Sequence, residues 1–419
     1  MKMNKLTVAI LIAMLLGIVT GQGYRLLAPA QAAGFASDIT LLTDIFLRLI
    51  KMIIAPLVFT TLVVGIAKMG DTRTVGRIGV KTLGWFMLAS LMSLTLGLVM
   101  VHLMQPGVGL SLSLPDDSAS SGVTATAISL KDFITHAIPK SVVEAMATNE
   151  ILQIVVFSLF FGLAAAALGD DAKPVVKLMA SGAEIMLKVT GYVMNFAPFA
   201  VFGAIAAMVA KEGLGILATY GTFMAQFYLA LACLWLLLIA MGSLFIRRRI
   251  LSLLTLIREP ILLAFSTASS EAAYPKTLDR LEKFGCDKRI ASFVLPMGYS
   301  FNLDGSMMYC TFAVMFIAQA YGIELSMAQQ ITMLLLLMVT SKGMAGVPRA
   351  SLVVIAATLN QFQIPEAGIL LLLGIDHFLD MGRSATNVLG NAIAASVVAK
   401  SEDSLGETAP LGEVDTAKA

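Results

Sequence analysis

Residues 367–400 read AGILLLLGIDHFLDMGRSATNVLGNAIAASVVAK, an apolar run interrupted by charged and amide side chains. Its length suits one membrane-spanning helix, which needs about 20 mostly apolar residues. The polar side chains follow one another three or four positions apart, so a helix places them on one face. They are Asp376, Asp380, Arg383 (or Ser384), Asn387 and Asn391. The stretch therefore predicts a helix within a membrane bundle that keeps one face for polar chemistry.

This polar face has a structural interpretation and a functional one. In the structural one, Asp380 neutralises Arg383 at i,i+3 and the asparagines join neighbouring helices. Each Asp or Arg at the centre of a spanning helix costs about 2.5–3.5 kcal/mol, so three cost about 8–10 kcal/mol unless they are partnered. Helix contacts alone could use Ser or Gly instead. We therefore interpret the face as functional, with Arg383 as a planar fork for a carboxylate.

The composition of the whole chain agrees with a membrane protein. The 419 residues are 58% hydrophobic and 13% charged, whereas a soluble domain is about 45–50% apolar and about 25% charged. We expect a lipid bilayer around the chain and no nucleic acid, because a net charge of +2 supplies no basic field. Three cysteines without a CxxC spacing, beside three histidines, argue against a disulfide framework and a structural zinc site.

Long apolar runs before residue 250 predict the other spanning helices. The runs at 41–67 and 175–209 exceed one bilayer thickness, so they should tilt, kink or extend into water. The first run follows Lys2 and Lys5 and ends near APAQAA at 28–33, which also fits a secretory signal with its cleavage site. Retained, the same segment is a first helix. The runs centre on residues 6–27, 41–67, 83–104, 151–168, 175–209 and 220–245.

Basic loops predict the orientation of the chain, because Lys and Arg stay on the cytoplasmic face. One basic cluster follows the second run and another follows the sixth, whereas 105–150 is mixed in charge and should lie outside. The pattern predicts a multi-pass protein with both termini inside, and we expect it in a bacterial-type cytoplasmic (inner) membrane. The basic residues are Lys68, Arg73, Arg77 and Lys81, then Arg247, Arg248, Arg249 and Arg258.

Two interrupted apolar segments follow residue 250, and the apolar run that begins the first, 251–263, is too short to cross the membrane. The first turns at STASSE (266–271) with basic flanks, and the second turns at SKGMAGVP (341–348) between Glu324 and Glu366. Flanking residues of the same charge on both sides of a segment indicate that it enters and leaves the membrane on the same side. Such paired interruptions, one from each face, point to the binding site of a transporter.

The polar groups of these segments suit two kinds of ligand. Hydroxyls at Ser269 and Ser270, and backbone amides near 343–347, favour an anion at half-helix N-termini. Carboxylate and amide oxygens suit a small cation or a proton, and these belong to Asn302, Asp304, Asp376 and Asn387. An anion site beside a cation site is what coupled symport requires.

The last 170 residues resemble the dicarboxylate/amino acid:cation symporter family, which includes glutamate/aspartate and C4-dicarboxylate transporters. The matching pieces are the two tips, NLDGS at 302–306 (family N-M-D-G-T), and 376–387 (family D-x3-D-x2-R-[TS]-x2-N). The resemblance implies an all-α polytopic membrane protein with eight transmembrane helices and two re-entrant helical hairpins. It implies a homotrimer whose transport domain slides against a static scaffold, with no cofactor and with H⁺ or Na⁺ as coupling ion.

The same resemblance implies a division of the chain. Residues 1–74 would form scaffold helices 1–2, 75–148 the third helix and outer loop, and 149–249 helices 4–6. The transport core would occupy 250–400, with hairpin 1, helix 7, hairpin 2 and helix 8. Residues 401–419 would be a disordered cytoplasmic tail.

Residue by residue, the family pattern implies that Arg383 clamps the distal carboxylate of a small anionic substrate. Ser270 and Asn387 would hold the other carboxylate, and Asp380 would take an amino group. The implied substrate-binding set is Ser269, Ser270, Ser306, Gly346, Val347, Asp380, Arg383, Ser384 and Asn387. The implied cation-binding set is Ser90, Gly298, Ser300, Asn302, Asp304, Ser341, Asp376, Asn387 and Asn391, with Na⁺ as a candidate ion.

Several positions depart from the family pattern. Asn391 stands where sodium-coupled members often carry an Asp, and Met344 replaces a small polar residue. Phe86 and Ala89 stand where hydroxyls are frequent, although Ser90 remains. A lost carboxylate weakens a Na⁺ site, so proton coupling or fewer sodium ions becomes plausible.

The substrate class stays open at this point. The segments 269–271, 300–305 and 341–343 look closest to the C4-dicarboxylate branch, whereas Asp380 favours an acidic amino acid because a substrate without an amino group has no use for that charge. Arg349, just past the second tip, is either an outer gate charge or a solvated side chain.

Other function classes fit the residues less well. An intramembrane aspartyl protease needs two aspartates sharing a proton, but Asp304 and Asp376 lack the G-x-G-D context. A serine hydrolase lacks its G-x-S-x-G motif, so we predict that the chain is not an enzyme. An anion channel is the stronger alternative, because a basic residue in a polar pathway can serve anion conduction as well as anion binding.

Overall fold

The computed structural model describes residues 5–69, 72–108, 135, 137–213, 220–341, 350–373 and 375–408. These residues are mainly helical, as the apolar runs predict. The helices are α1 (Lys5–Leu27), α2 (Ala32–Met69), α3 (Thr72–Met104), α4 (Val142–Ala147), α5 (Ile151–Leu168), α6 (Lys173–Met194), α7 (Ala197–Glu212), α8 (Gly221–Ile246), α9 (Arg249–Thr267), α10 (Tyr274–Phe284), α11 (Lys288–Phe301), α12 (Asp304–Ala320), α13 (Met327–Thr340), α14 (Ala350–Gln361), α15 (Leu370–Leu373) and α16 (Asp376–Ser401).

Seven stretches of the described helices are long and apolar enough to cross a membrane. Many large apolar side chains on them are exposed, among them Leu15, Val19 and Leu236, which is expected of surfaces that face lipid. The stretches are Val8–Leu27, Pro29–Ala67, Arg73–Met104, Ile151–Met194, Gly221–Ile246, Arg249–Thr267 and Lys288–Ala320.

The helices pack in two groups. In the first, α2 packs against α5, α6 and α7, and α7 also packs against α1. In the second, α16 packs against α8, α9, α11 and α12, and α12 also packs against α3. The two groups meet chiefly where α11 contacts α2. The polar face of α16 therefore lies at the centre of the second group.

The long apolar run at 175–209 is two helices rather than one span. α6 ends at Met194, and α7 begins at Ala197 with Pro198 in its first turn. Proline fits the first turn of a helix, where the backbone N–H has no intrahelical partner, but it interrupts a helix interior. Of the three outcomes expected for this run (a tilt, a kink or an extension into water), the structure shows a break, and Pro198 explains its place.

Residues 402–408 pack against the turn that follows α10, which differs from the disordered tail expected for this part. The Gly406 N–H donates to the Gly285 carbonyl at 2.8 Å, and Cys286 forms an antiparallel bridge with Leu405. Hydrogen bonds from Arg77 and Lys81 hold the pKa of Glu402 below its usual value. These contacts join segments far apart in sequence, so local polarity gave no sign of them. Residues 409–419 lie outside the described part.

Candidate functional site

Arg383 lies on the second turn of α16, and its side chain is only 1% exposed. Its Nη2 lies 3.1 Å from Asp376 Oδ1 and 3.1 Å from Asp380 Oδ1. These partners precede Arg383 by seven and three positions, so helical periodicity places all three on one face. Nε and Nη1 of Arg383 have no hydrogen-bond partner among the described residues. Buried polar groups are normally paired, so these donors indicate a place for an acceptor that is not part of the chain.

The two carboxylates beside Arg383 differ in exposure. The side chain of Asp376 is 2% exposed, whereas that of Asp380 is 29% exposed. The i,i+3 pair between Asp380 and Arg383 is the contact that the structural interpretation predicts, and it is present. It leaves Nε and Nη1 of the guanidinium without a partner among the described residues, so Arg383 still has donors for a second role.

Tyr309 completes the surroundings of Arg383, and the sequence gave no specific sign of it. The guanidinium carbon lies 4.1 Å from the centroid of the Tyr309 ring, an arrangement that attracts a cation to the ring face. The Tyr309 hydroxyl donates to Asp376 Oδ1 at 3.1 Å. Asp376 is thereby held by a tyrosine and an arginine together, and it orients both.

A second polar cluster lies where α11 ends and α12 begins. The Asn302 side-chain amide donates to Asp304 Oδ2 at 3.0 Å and to Asn391 Oδ1 at 3.1 Å. Ser93 of α3 donates to Asp304 Oδ1 at 3.3 Å. Ser93 was absent from the predicted set, although it lies one helical turn beyond Ser90. The cluster brings three predicted cation-binding residues within hydrogen-bond distance of one another.

This second cluster contains buried oxygens that are not satisfied within the described residues. Asn302 Oδ1 and Ser300 Oγ have no hydrogen-bond partner there, and neither does Asn391 Nδ2. Gly298 has no side chain and can contribute only its backbone to this cluster. A Cβ at that position would overlap the side-chain amide of Asn391, so the two residues are in close contact. Unsatisfied oxygens beside a carboxylate are suitable ligands for a small hard cation.

Asn387 connects the two clusters, since it lies four residues from both Arg383 and Asn391 on α16. Its Oδ1 accepts hydrogen bonds from the Gly305 N–H at 2.9 Å and the Ser306 N–H at 3.4 Å. Its Nδ2 donates to Ser306 Oγ at 3.3 Å. The side chain thus occupies the N-terminus of α12 and holds that helix against α16.

Asp304 and Asp376 do not form the pair that a protease would need. Asp304 is held by Asn302 and Ser93. Asp376 is held by Arg383 and Tyr309 instead.

The remaining predicted residues lie outside these two clusters or are engaged locally. Ser269 Oγ accepts from the Ala272 N–H at 3.3 Å, and among the described residues no hydrogen bond joins Ser269 or Ser270 to α16. Ser90 and Ser341 donate to backbone carbonyls of their own helical turns, and Ser384 is buried on α16. Gly346, Val347, Met344 and Arg349 lie outside the described residues.

Close helix contact at the site predicts a stability effect at Gly305. A Cβ there would lie 2.6 Å from the Arg383 carbonyl oxygen, so Gly305→Ala should force α12 away from α16. We expect a loss of about 1–3 kcal/mol, as for other overpacked positions, read as a lower Tm of the purified protein in detergent. Gly84→Ala is the matched control, because Gly84 lies in a helix with open space around it. An unchanged Tm for Gly305→Ala would contradict the close contact.

Known proteins resemble this chain over nearly its whole length. The sequence model of the sodium:dicarboxylate symporter family matches residues 6–401. The chain is 41% identical over 404 residues to the proton/sodium-glutamate symport protein of Bacillus caldotenax, covering 95% of this chain and 94% of that protein.

Two relatives from Bacillus subtilis (strain 168) carry names that differ in substrate. One is a C4-dicarboxylate transport protein, 37% identical over 423 residues, covering 100% of this chain and 99% of that protein. The other is a proton/glutamate-aspartate symporter, 38% identical over 396 residues, covering 94% of each. Similarity alone therefore does not choose between an amino acid and a dicarboxylate.

Proposed function

Because the chain belongs to the sodium:dicarboxylate symporter family, we propose that it imports an acidic amino acid or a C4-dicarboxylate together with H⁺ or Na⁺. The family and its relatives are membrane transporters and not enzymes. The two substrate classes are those in the names of the relatives. Of the two, the residues beside Arg383 favour the amino acid.

The observation that carries this proposal is the buried guanidinium of Arg383, whose Nε and Nη1 have no hydrogen-bond partner among the described residues. Charge-assisted hydrogen bonds between a guanidinium and a carboxylate are among the strong ones in proteins. An incoming carboxylate would satisfy donors that the described residues leave unpaired. The second carboxylate of the substrate would lie toward Asn387 and the first tip.

The charges of the site support coupling to a cation. Three carboxylates and one guanidinium occupy the two clusters, a formal charge of minus two when every group is ionised: Asp304, Asp376, Asp380 and Arg383. Uncompensated charge inside a membrane protein is costly, so an acidic substrate makes this site less favourable still. A cation that enters with the substrate offsets that cost, so binding of the substrate and binding of the cation depend on each other.

The second cluster is the proposed place of the cation. Asp304 supplies the charge, and the unsatisfied oxygens of Asn302 and Ser300 supply neutral ligands. Asn387 links this cluster to Arg383 through α16, so occupation of one cluster alters the position of the other. A proton on a carboxylate would compensate the charge equally well.

Asp380 bears on the choice of substrate. Its carboxylate is the more exposed of the two beside Arg383, so it can meet the ammonium group of an amino acid. A C4-dicarboxylate such as succinate has no group for it to bind. We therefore propose aspartate or glutamate as the better substrate.

The architecture of the family is proposed for this chain as well. The helix pairs α9/α10 and α13/α14 would be the two re-entrant hairpins, and eight other segments would span an inner membrane. The group around α2 would be the scaffold, and the group around α16, which includes α3, would move as the transport core. Three copies would form the homotrimer, with the termini in the cytoplasm.

The coupling ion provides a direct test of the proposal. We expect labelled aspartate to enter proteoliposomes on an imposed pH gradient without sodium, because Asn391 supplies no carboxylate to a Na⁺ site and its Oδ1 already accepts from Asn302. Succinate should enter under the same gradient more slowly. Uptake of each solute is measured under separate H⁺ and Na⁺ gradients.

A matched variant sharpens this test. Asn391→Asp should introduce sodium dependence, because it adds a carboxylate beside the unsatisfied oxygen of Asn302. Strict sodium dependence of the unaltered protein would contradict proton coupling. Failure of both gradients to drive uptake of either solute would contradict the proposed function itself.

A further inference from the structure

A basic cavity lies at the junction of α8 and α9, far along α16 from Arg383. It has a volume of about 920 Å³ and is bordered by the end of α16 and by the segment after it. Its basic lining residues are Arg247, Arg248, Arg249 and Lys400, and none of the described residues that line it is acidic. The cavity is therefore an anion-attracting site that the proposed symport does not use.

The cations of this cavity differ in what they already bind. Arg249 donates to the Phe284 and Gly406 carbonyls at 2.9 and 2.6 Å, so it holds the wall of the cavity together. Arg247, Arg248 and Lys400 are exposed and form no ion pair with any described residue. Three unpaired cations around one cavity repel one another, and a bound anion would relieve that repulsion.

The apolar side of the cavity indicates what kind of anion fits. Leu244 is 78% exposed and Phe245 is 47% exposed, and both lie in the last turn of α8. This helix is one of the stretches able to cross a membrane, so its last turn lies where headgroups meet acyl chains. A ligand of the whole cavity would carry a negative headgroup beside hydrocarbon.

From this juxtaposition of three unpaired cations and exposed apolar side chains at a membrane-helix end, we propose that the cavity binds an anionic phospholipid. Its phosphate lies against Arg247, Arg248 and Lys400, and its acyl chains lie along Leu244 and Phe245. Basic pockets between spanning helices bind acidic headgroups in this manner. A topological role alone needs positive charge on one side of the membrane, but it needs neither a cavity nor apolar side chains beside it.

The bound lipid has a mechanical consequence. The cavity wall contains the start of α9, the end of α16 and, through Arg249, the turn after α10. A headgroup in the cavity therefore connects both arms of the first helix pair to the helix that carries Arg383. It stabilises that arrangement without touching the substrate site.

The test measures lipid binding to the purified full chain in neutral detergent. The Tm is followed during titration with phosphatidylglycerol, with phosphatidylcholine and with inorganic phosphate, and native mass spectrometry counts the retained lipids. We expect phosphatidylglycerol to raise the Tm at concentrations where the other two have no effect. High salt should reduce the response because it screens exposed charges.

Charge removal then places the lipid at this cavity. Arg247→Gln and Lys400→Gln should each weaken phosphatidylglycerol binding about fivefold, and the double variant about 25-fold. Lys177→Gln is the matched control, because Lys177 is an exposed cation on α6 away from the cavity. Arg247→Lys keeps the charge and should keep most of the affinity, which also shows that this position tolerates substitution.

Three results would overturn the proposal. One is an equal response to phosphatidylcholine, and another is a double variant with unchanged phosphatidylglycerol affinity. The third is an equal response to inorganic phosphate, which would make the cavity a site for free anions. If the double variant fails to fold, the lipid selectivity and salt dependence of the unaltered protein decide the question.

Discussion

Arg383→Ala should abolish uptake of aspartate and of succinate, because both substrates need a partner for a carboxylate in a buried site. Truncating one partner of a buried charge pair costs about 2–5 kcal/mol, so the apparent substrate affinity should fall by about 30-fold to several thousand-fold. Two aspartates would also lose the cation that both contact at 3.1 Å. Initial rates in proteoliposomes measure the transport effect, and substrate-induced rises in Tm measure binding.

Two further variants separate a clamp from a general loss of structure. Arg383→Lys keeps the charge but loses the planar fork, so it should bind more weakly than the unaltered protein and better than Arg383→Ala. Arg48→Ala removes an exposed arginine from α2 and should leave uptake unchanged. Normal uptake by a folded Arg383→Ala protein would show that this guanidinium is not the clamp.

Asp380→Asn should distinguish the two substrate classes. If the exposed carboxylate binds an ammonium group, the variant loses aspartate affinity by about 100-fold, as expected for removal of one charge of a pair. Succinate affinity should change by less than about tenfold, because only the contact with Arg383 is altered. Competition of unlabelled aspartate and succinate against one labelled substrate measures both affinities.

Asp376→Asn is the control for this comparison. Asp376 contacts the same nitrogen of Arg383 at the same distance, but its side chain is 2% exposed and also accepts from Tyr309. Its loss should weaken both substrates to a similar degree. Equal losses of aspartate and succinate in Asp380→Asn would assign Asp380 the structural role of neutralising Arg383.

Local periodicity accounts for what could be predicted about α16. The helix runs from Asp376 to Ser401, and the i,i+3 contact between Asp380 and Arg383 follows from the period of the helix alone. The resemblance to a symporter family, drawn from short motifs in the last part of the chain, is confirmed over residues 6–401.

Contacts between distant helices could not be predicted in this way. Tyr309 lies over Arg383 and Ser93 reaches Asp304 only because α12 packs between α3 and α16. Nothing in the apolar stretches that surround Tyr309 and Ser93 distinguishes either from an ordinary packing residue. The packing of residues 402–408 could not be predicted for the same reason, since its partner is the turn at Gly285 and Cys286 after α10, more than a hundred residues away.

Accumulation of labelled aspartate against its own gradient tests the central claim most directly. Proteoliposomes containing the purified protein are given equal aspartate on both sides and an inward H⁺ gradient, with a Na⁺ gradient in a parallel sample. Coupled symport predicts that the internal concentration rises above the external one and falls back when an ionophore collapses the gradient. Aspartate that stays equal on both sides under every imposed gradient, while still exchanging across the membrane, would contradict symport and indicate a channel.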